Sequence, residues 1–301
     1  MSLLKLTIKT VTLLSLLISN TVLATSHLPL PPKEIQNPYQ NIKVQQLNTG
    51  QDLISYFDKN GYQLKLVKEN GLIPEYYIDN LPHDLNKLSV EEKTTGFIRL
   101  LLPTIQAVND QVLAVRSKLL YLSHKSQITW SEKEQDWVQH LMASYNVKSN
   151  RIEDLLLQID MIPVGMALAQ GIDESGWGTS YFAIEGNNLY GEHSSGNSGK
   201  FLTTPNGRVR VSAFENLYLG TASYMHNLNT TYAYQGLWQL RKHLREHNNL
   251  TGDQLVQALE HYSTRGESYV DNLRNLIKVH KLDDFDNIAF DSTKIARFHF
   301  R

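Results

Sequence analysis

Hydrophobic positions along the chain recur mostly at helical spacing. Over residues 94–122, Phe97, Leu100, Leu101, Ile105, Val108, Val112, Val115 and Leu119 form the apolar stripe of an amphipathic helix. Pro103 lies inside that stripe and predicts a kink. Ser131 and Glu134 have the spacing of a capping box that opens a second helix through Trp137 and Leu141, and residues 151–160 read as a third. Pro163 suits a first helical turn. From it Val164, Ala167, Leu168 and Ile172 keep helical spacing up to Gly176-Trp177-Gly178, where the glycines end the helix. The pattern then changes. Residues 187–214 are rich in Gly, Asn, Ser and Thr, with a short alternation at Val209 and Val211, which predicts loops and a small hairpin. Helical spacing resumes over 217–229, 237–247, 252–262 and 268–280, with Thr251 and Gln254 introducing the third of these. The pattern predicts a mostly helical α+β domain interrupted by one polar lobe.

The two ends read differently. Lys5 and Lys9 precede an apolar run, 11–18, and Val22-Leu23-Ala24 places small residues where a secretory signal is cut, so residues 1–24 are expected to direct export with cleavage after Ala24. Residues 25–90 are expected to be a linker or helical accessory region, Pro-, Asn- and Gln-rich as far as about 50. Residues 91–282 form the main domain, and 283–301 a tail. No later stretch is long and uncharged enough to span a membrane.

Composition narrows the chemistry. The 301 residues are 41% hydrophobic with 15 Tyr, 9 Phe and 4 Trp, enough for a substantial core. Lys+Arg number 29 against 30 Asp+Glu, and removing 1–24 takes away two lysines and no acids, so a strongly basic nucleic-acid binder is disfavoured. The absence of cysteine excludes disulfides, Cys-ligated metals and thiol nucleophiles. His243, Glu246 and His247 match a metallopeptidase helix pattern formally. Arg241, Lys242 and Arg245 interleave with them, which reads as a solvated basic face, so no metal or other cofactor is expected.

One carboxylate stands out. Glu174 falls about three turns after Pro163, near the helix end, with Gly171 and Ala167 leaving room on its own stripe. Apolar surroundings from Ile172, Trp177 and Phe182 would raise its pKa, as a general acid needs; an ordinary solvated glutamate at a helix end fits the spacing equally. Trp177 can serve as a sugar platform or a core residue. Asn187 and Asn188 can hold substrate amides and hydroxyls or form a turn.

Ala169-Gln170, Glu174-Ser175-Gly176-Trp177-Gly178-Thr179-Ser180, Phe182-Ala183 and Gly186-Asn187-Asn188-Leu189-Tyr190-Gly191 together resemble the core motif of the bacterial glucosaminidase-domain family, glycoside hydrolase family 73. The likeness is strongest to its Bax-like branch. Ile159-Asp160-Met161-Ile162-Pro163, the helix around Phe97, the run from Tyr224 to Thr230 and the run from Tyr262 to Val270 also resemble that branch, so the likeness covers about 90–282. It implies a lysozyme-like fold that cleaves β-1,4 bonds next to N-acetylglucosamine, in peptidoglycan or a related glycan. By the same resemblance Glu174 matches the general acid, while Tyr190, Tyr224, Tyr262 and Tyr269 line the groove and Tyr262 helps position the sugar.

A second acid, frequent in the polar lobe of the family, falls by register on Arg208 or Arg210, and a guanidinium is not a base. Glu185, Glu192 and Glu215 are near enough to substitute, and Glu192 is favoured. Otherwise the substrate's acetamido group acts as internal nucleophile, or the chain is a weak or inactive relative. A non-catalytic wall-binding protein and a lytic transglycosylase remain the competing readings.

Overall fold

The computed structural model describes residues 28–36, 38–194, 199–204 and 207–301. The expected export segment lies outside them. Among the described residues, a short 3-10 turn (Pro32–Glu34) precedes strand β1 (Val44–Leu47), helices α1 (Gly50–Lys59) and α2 (Leu64–Asn70) and strand β2 (Leu72–Ile78). The long helix α3 (Val90–Ser123) follows, then α4 (Glu132–Ser144), α5 (Ile152–Gln158), α6 (Val164–Ser175) and α7 (Tyr181–Gly186). A hairpin of β3 (Phe201–Thr203) and β4 (Arg210–Ser212) interrupts the helices, which resume as α8 (Leu217–Thr230), α9 (Gln235–Glu246), α10 (Gly252–Leu255) and α11 (Glu267–His280) before β5 (Ala289–Phe300). The mostly helical α+β reading holds, hairpin lobe included.

Helix α3 organises two cores. Its first half, with Phe97, Leu101, Ile105 and Val108, enters the main core around α6, α8 and α11, and its second half, with Val112, Val115 and Leu119, packs on Trp137, Leu141 and Leu155. The helix runs unbroken through Pro103. Proline has no N–H for the Arg99 carbonyl one turn back. The buried Tyr62 hydroxyl donates to that carbonyl instead, at 3.0 Å, so the accessory region repairs the gap.

The regions read as accessory segment and tail meet in one sheet of order β1-β5-β2, parallel throughout, with Val44 opposite Arg297 and Leu72 opposite Ala289. Its register shifts between Pro74 and Glu75, placing proline at an irregularity. Upstream, residues 28–36 lie along α3 and α4. Gln111 donates to the Leu30 carbonyl at 2.7 Å, Trp137 to Pro29 at 2.7 Å and Ser144 to the Glu34 carboxylate at 3.0 Å.

Two carboxyls fix the start of α6. Asp286 accepts from the Gly165 N–H at 2.7 Å and the Gly252 N–H at 2.8 Å, and a side chain at Gly165 would meet Asp283 Oδ1 at 2.5 Å. Burial, with Asp283 beside it, raises Asp286 to about 7. A carboxyl raised on folding contributes stability that is full below the unfolded value of about 4 and lost as pH rises through the folded one. Urea unfolding should therefore show the protein less stable at pH 8 than at pH 5 by on the order of 2 kcal/mol from this group, and Asp286→Asn should flatten that slope. An unchanged slope in the variant would place the titration elsewhere.

The entry to α6 is held from the other side. Residues 159–163 have no regular structure, and their carbonyls need donors. Arg241 lies fully buried and gives Nη1 to Asp160 O at 3.0 Å and Asn229 Oδ1 at 2.7 Å, and Nη2 to Gln158 O at 2.8 Å and Leu157 O at 3.3 Å. The expected solvated basic face is therefore corrected. Arg241 points into the core, and Arg245 pairs with the buried Asp160 carboxylate through Nε at 2.7 Å. Only the remainder of that face, with Lys242 beside Glu246 at 3.9 Å, is exposed. His247 Nδ1 lies 2.8 Å from the His243 carbonyl, and no group of three or more His, Asp or Glu side chains gathers as a metal site among the described residues. No helix among them is long and apolar enough to cross a membrane.

Candidate active site

Helix α6 is buried along nearly its whole length and delivers Glu174 in its last turn. Gly176, at φ 58°, ends it with an N–H to the Ile172 carbonyl, and Gly178 has no room for a side chain, since a Cβ would stand 2.7 Å from the Phe97 ring. Glu174 is thus fixed by backbone geometry at both sides. Its side chain is 22% exposed. Burial raises its pKa and Asp173 adds to the effect, whereas Tyr269 and the Arg265 guanidinium, 3.8 Å away, oppose it.

Behind Glu174 stands a wall of tyrosines. Tyr190 and Tyr224 stack at 3.8 Å between ring centroids, and Tyr262 and Tyr269 stack at 5.7 Å. Tyr190, Tyr224 and Tyr269 are buried, so they back the centre, while Tyr262 is half-buried and reaches its surface. The Tyr262 hydroxyl donates to the Tyr190 carbonyl at 3.0 Å. Burial raises its pKa far above the usual value, and Glu174 and Glu192 both add to the shift, which places the phenol in the field of both carboxyls.

Glu192 enters through Gly191. That glycine, at φ 68°, lies so close that a Cβ would be 3.3 Å from Glu174 Oε2. Glu192 Oε1 accepts from Ser223 at 2.9 Å, while Oε2 is buried without a hydrogen-bond partner. Burial raises its pKa, against the Ser223 bond and Lys33. A cleft of about 620 Å³ opens beside Glu192, lined by Lys33, Gln36, His193, Glu215 and Ser223 among others, and Glu174 is not part of its lining. Glu185 and Glu215 are exposed, the first 3.7 Å from His83 and the second paired with Lys200 at 3.1 Å. A cavity of about 710 Å³ bordered by Asn146, Gln158, Tyr232 and Trp238 contains none of the candidate residues.

The remaining candidates hold the site together. Asn188 donates to the Glu192 and Ser212 carbonyls, both at 2.9 Å, and accepts from the Glu192 N–H at 3.0 Å, tying the hairpin to the Glu192 loop. Asn187, left-handed at φ 50°, caps α7 and donates to Phe214 O at 3.0 Å. Trp177 packs edge-on against Phe97 and His280, at 6.1 and 4.9 Å. Arg210 lies over the Phe201 ring at 4.6 Å across the hairpin.

Three residues at the centre were not singled out in the sequence. Gln170, one turn before Glu174, donates to the Tyr269 hydroxyl at 3.0 Å and accepts from Tyr224 at 2.6 Å. Asp173 pairs with Arg265 and accepts from Asn272 at 2.6 Å, and the Arg265 guanidinium lies over the Tyr269 ring at 4.6 Å. A buried amide in an otherwise apolar helix was the available signal for Gln170.

Residues 149–282 match the profile of the family described as mannosyl-glycoprotein endo-beta-N-acetylglucosaminidase. The chain is 32% identical over 195 residues to Protein bax of Escherichia coli (strain K12), covering 62% of this chain and 69% of that protein. It is also similar to the catalytic domain of the autolysin Auto of Listeria monocytogenes, at 16% identity and a TM-score of 0.31, over 57% of this chain and 96% of that one.

Proposed function

Because the chain belongs to the Bax-like branch of the glucosaminidase-domain family, we propose that it is an exported glycoside hydrolase cleaving β-1,4 bonds next to N-acetylglucosamine in peptidoglycan or a related glycan. One observation carries this reading: a partly buried Glu174 with a raised pKa ends a rigid helix against Gly191, the residue that precedes a second partly buried carboxyl, Glu192. Protonated Glu174 gives its proton to the glycosidic oxygen as the bond breaks. Glu192 supports the oxocarbenium-like sugar and accepts a proton from the incoming water. Tyr262, in the field of both, positions the sugar.

Digestion of purified peptidoglycan tests the reading through the new reducing end. N-acetylglucosamine supports hydrolysis; an anhydro-muramyl end marks a transglycosylase, and no cleavage by folded protein marks a wall-binding relative. Glu192→Gln should lower kcat by about 10²- to 10⁴-fold with little change in KM. Near-wild-type turnover in that variant would transfer its role to the substrate's acetamido group.

A further inference from the structure

We propose that the 710 Å³ cavity between α5, the end of α8 and the start of α9 is a second glycan site, which holds a further stretch of the N-acetylhexosamine chain that is cut at Glu174. The inference rests on the hydrolase reading for the identity of the chain, and on the cavity's own chemistry for the site. Its volume lies in the range of small-molecule sites. Trp238 is its buried floor, 4% exposed, and the indole N–H is already given to the Leu228 carbonyl at 2.7 Å, so only ring carbons are left to face a ligand. Tyr232 lines the same cavity and, at 75%, is the most exposed aromatic side chain among the described residues. An exposed ring alone is ordinary; one that borders a concave site offers the C–H face of a sugar a surface to stack on. The polar lining fits the rest of a sugar. Thr230 donates to the His226 carbonyl at 2.8 Å and Thr231 to Asn227 Oδ1 at 2.6 Å, so both hydroxyl oxygens remain acceptors, and the exposed Gln235 amide offers a donor and an acceptor together. Lys148 and Asp154 are the charged lining residues and cancel, which suits a neutral saccharide better than an anionic ligand.

The cavity is joined to the candidate centre by one short turn. Tyr232 and Tyr234 share a 3-10 turn (Tyr232–Tyr234), and the Tyr234 ring lies 6.0 Å from that of Tyr262, centroid to centroid. Tyr262 is the half-buried tyrosine at the surface of the centre, bonded to the Tyr190 carbonyl. Three residues thus connect the rim of the cavity to the ring that positions the sugar. A short glycan engages the centre alone. A long one engages both places, and its second contact is intramolecular, which raises the apparent affinity without changing the chemical step.

The test combines binding and turnover in the full chain. A hexasaccharide of β-1,4-linked N-acetylglucosamine, titrated into Glu174→Gln, should change tryptophan emission, and the change should vanish in the additional variant Trp238→Phe. Tyr232→Ala, at an exposed position that folding does not depend on, should weaken hexasaccharide binding about tenfold and raise the apparent KM for peptidoglycan by a similar factor. Its kcat, and its cleavage of short soluble glycans, should match the wild type. Gln235→Ala should act in the same direction with a smaller effect. Unchanged hexasaccharide affinity in Tyr232→Ala, or an equal loss on short and long substrates, would overturn the proposal, the second outcome because it would trace the effect to Tyr262 and not to the cavity. Binding without cleavage by the wild-type protein would instead overturn the hydrolase reading, and the Trp238 signal would still decide whether the second site exists.

Discussion

Glu174→Gln should fold as the wild type does and lose glycan cleavage by about four orders of magnitude. The exchange is nearly isosteric, so the stacked tyrosines behind it keep their packing. What disappears is an acidic proton. The leaving alkoxide must then take its proton from water, at a site where burial had raised the pKa of the donating carboxyl. Matched circular dichroism and unfolding midpoints, together with release of soluble sugar from purified peptidoglycan, check both halves. Turnover within tenfold of wild type would remove Glu174 from the acid role.

The largest expected loss of stability is at Arg241, far from any reacting atom. Arg241→Met keeps most of the volume and removes donors to the carbonyls of Leu157, Gln158 and Asp160 and to Asn229 Oδ1. Burial pulls its guanidinium down to about 10, still protonated at neutral pH. Each carbonyl stranded without water costs about 1–3 kcal/mol, and breaking a buried charged cluster costs about 3–5 kcal/mol, so a total near 4 kcal/mol is expected. Asp160 would lose a neighbouring positive charge while keeping Arg245 and Arg116. The denaturant midpoint should fall accordingly. A cost below about 1 kcal/mol would mean that the carbonyls find water on relaxation, contrary to their burial.

The sequence made the helices legible because their signals are local. Ser131 and Glu134 form both bonds of the capping box, and the stripe from Phe97 to Leu119 is buried as its spacing required. The three-stranded sheet was not legible. Parallel strands have no hairpin turn between them, and Val44 and Arg297 share no local signal. The same limit applied to the site. Glu174 could be placed from its own helix, but Gln170 gains meaning only from Tyr224 and Tyr269, and Asp173 only from Arg265 and Asn272, all distant along the chain. Arg241 was misread for a related reason: residues around it are exposed, and helical spacing alone does not show that buried carbonyls lie opposite one position of that face.

The sheet has a consequence for biogenesis. Its central strand, β5, is made after every other described element, yet both β1 and β2 pair with it and not with each other. Throughout synthesis these two segments have unsatisfied strand edges, the kind of surface that aggregates or is held by chaperones. Nascent chains arrested before Ala289 should therefore be captured by holdases and cut readily by protease within residues 44–78, and release of the full-length chain should end both.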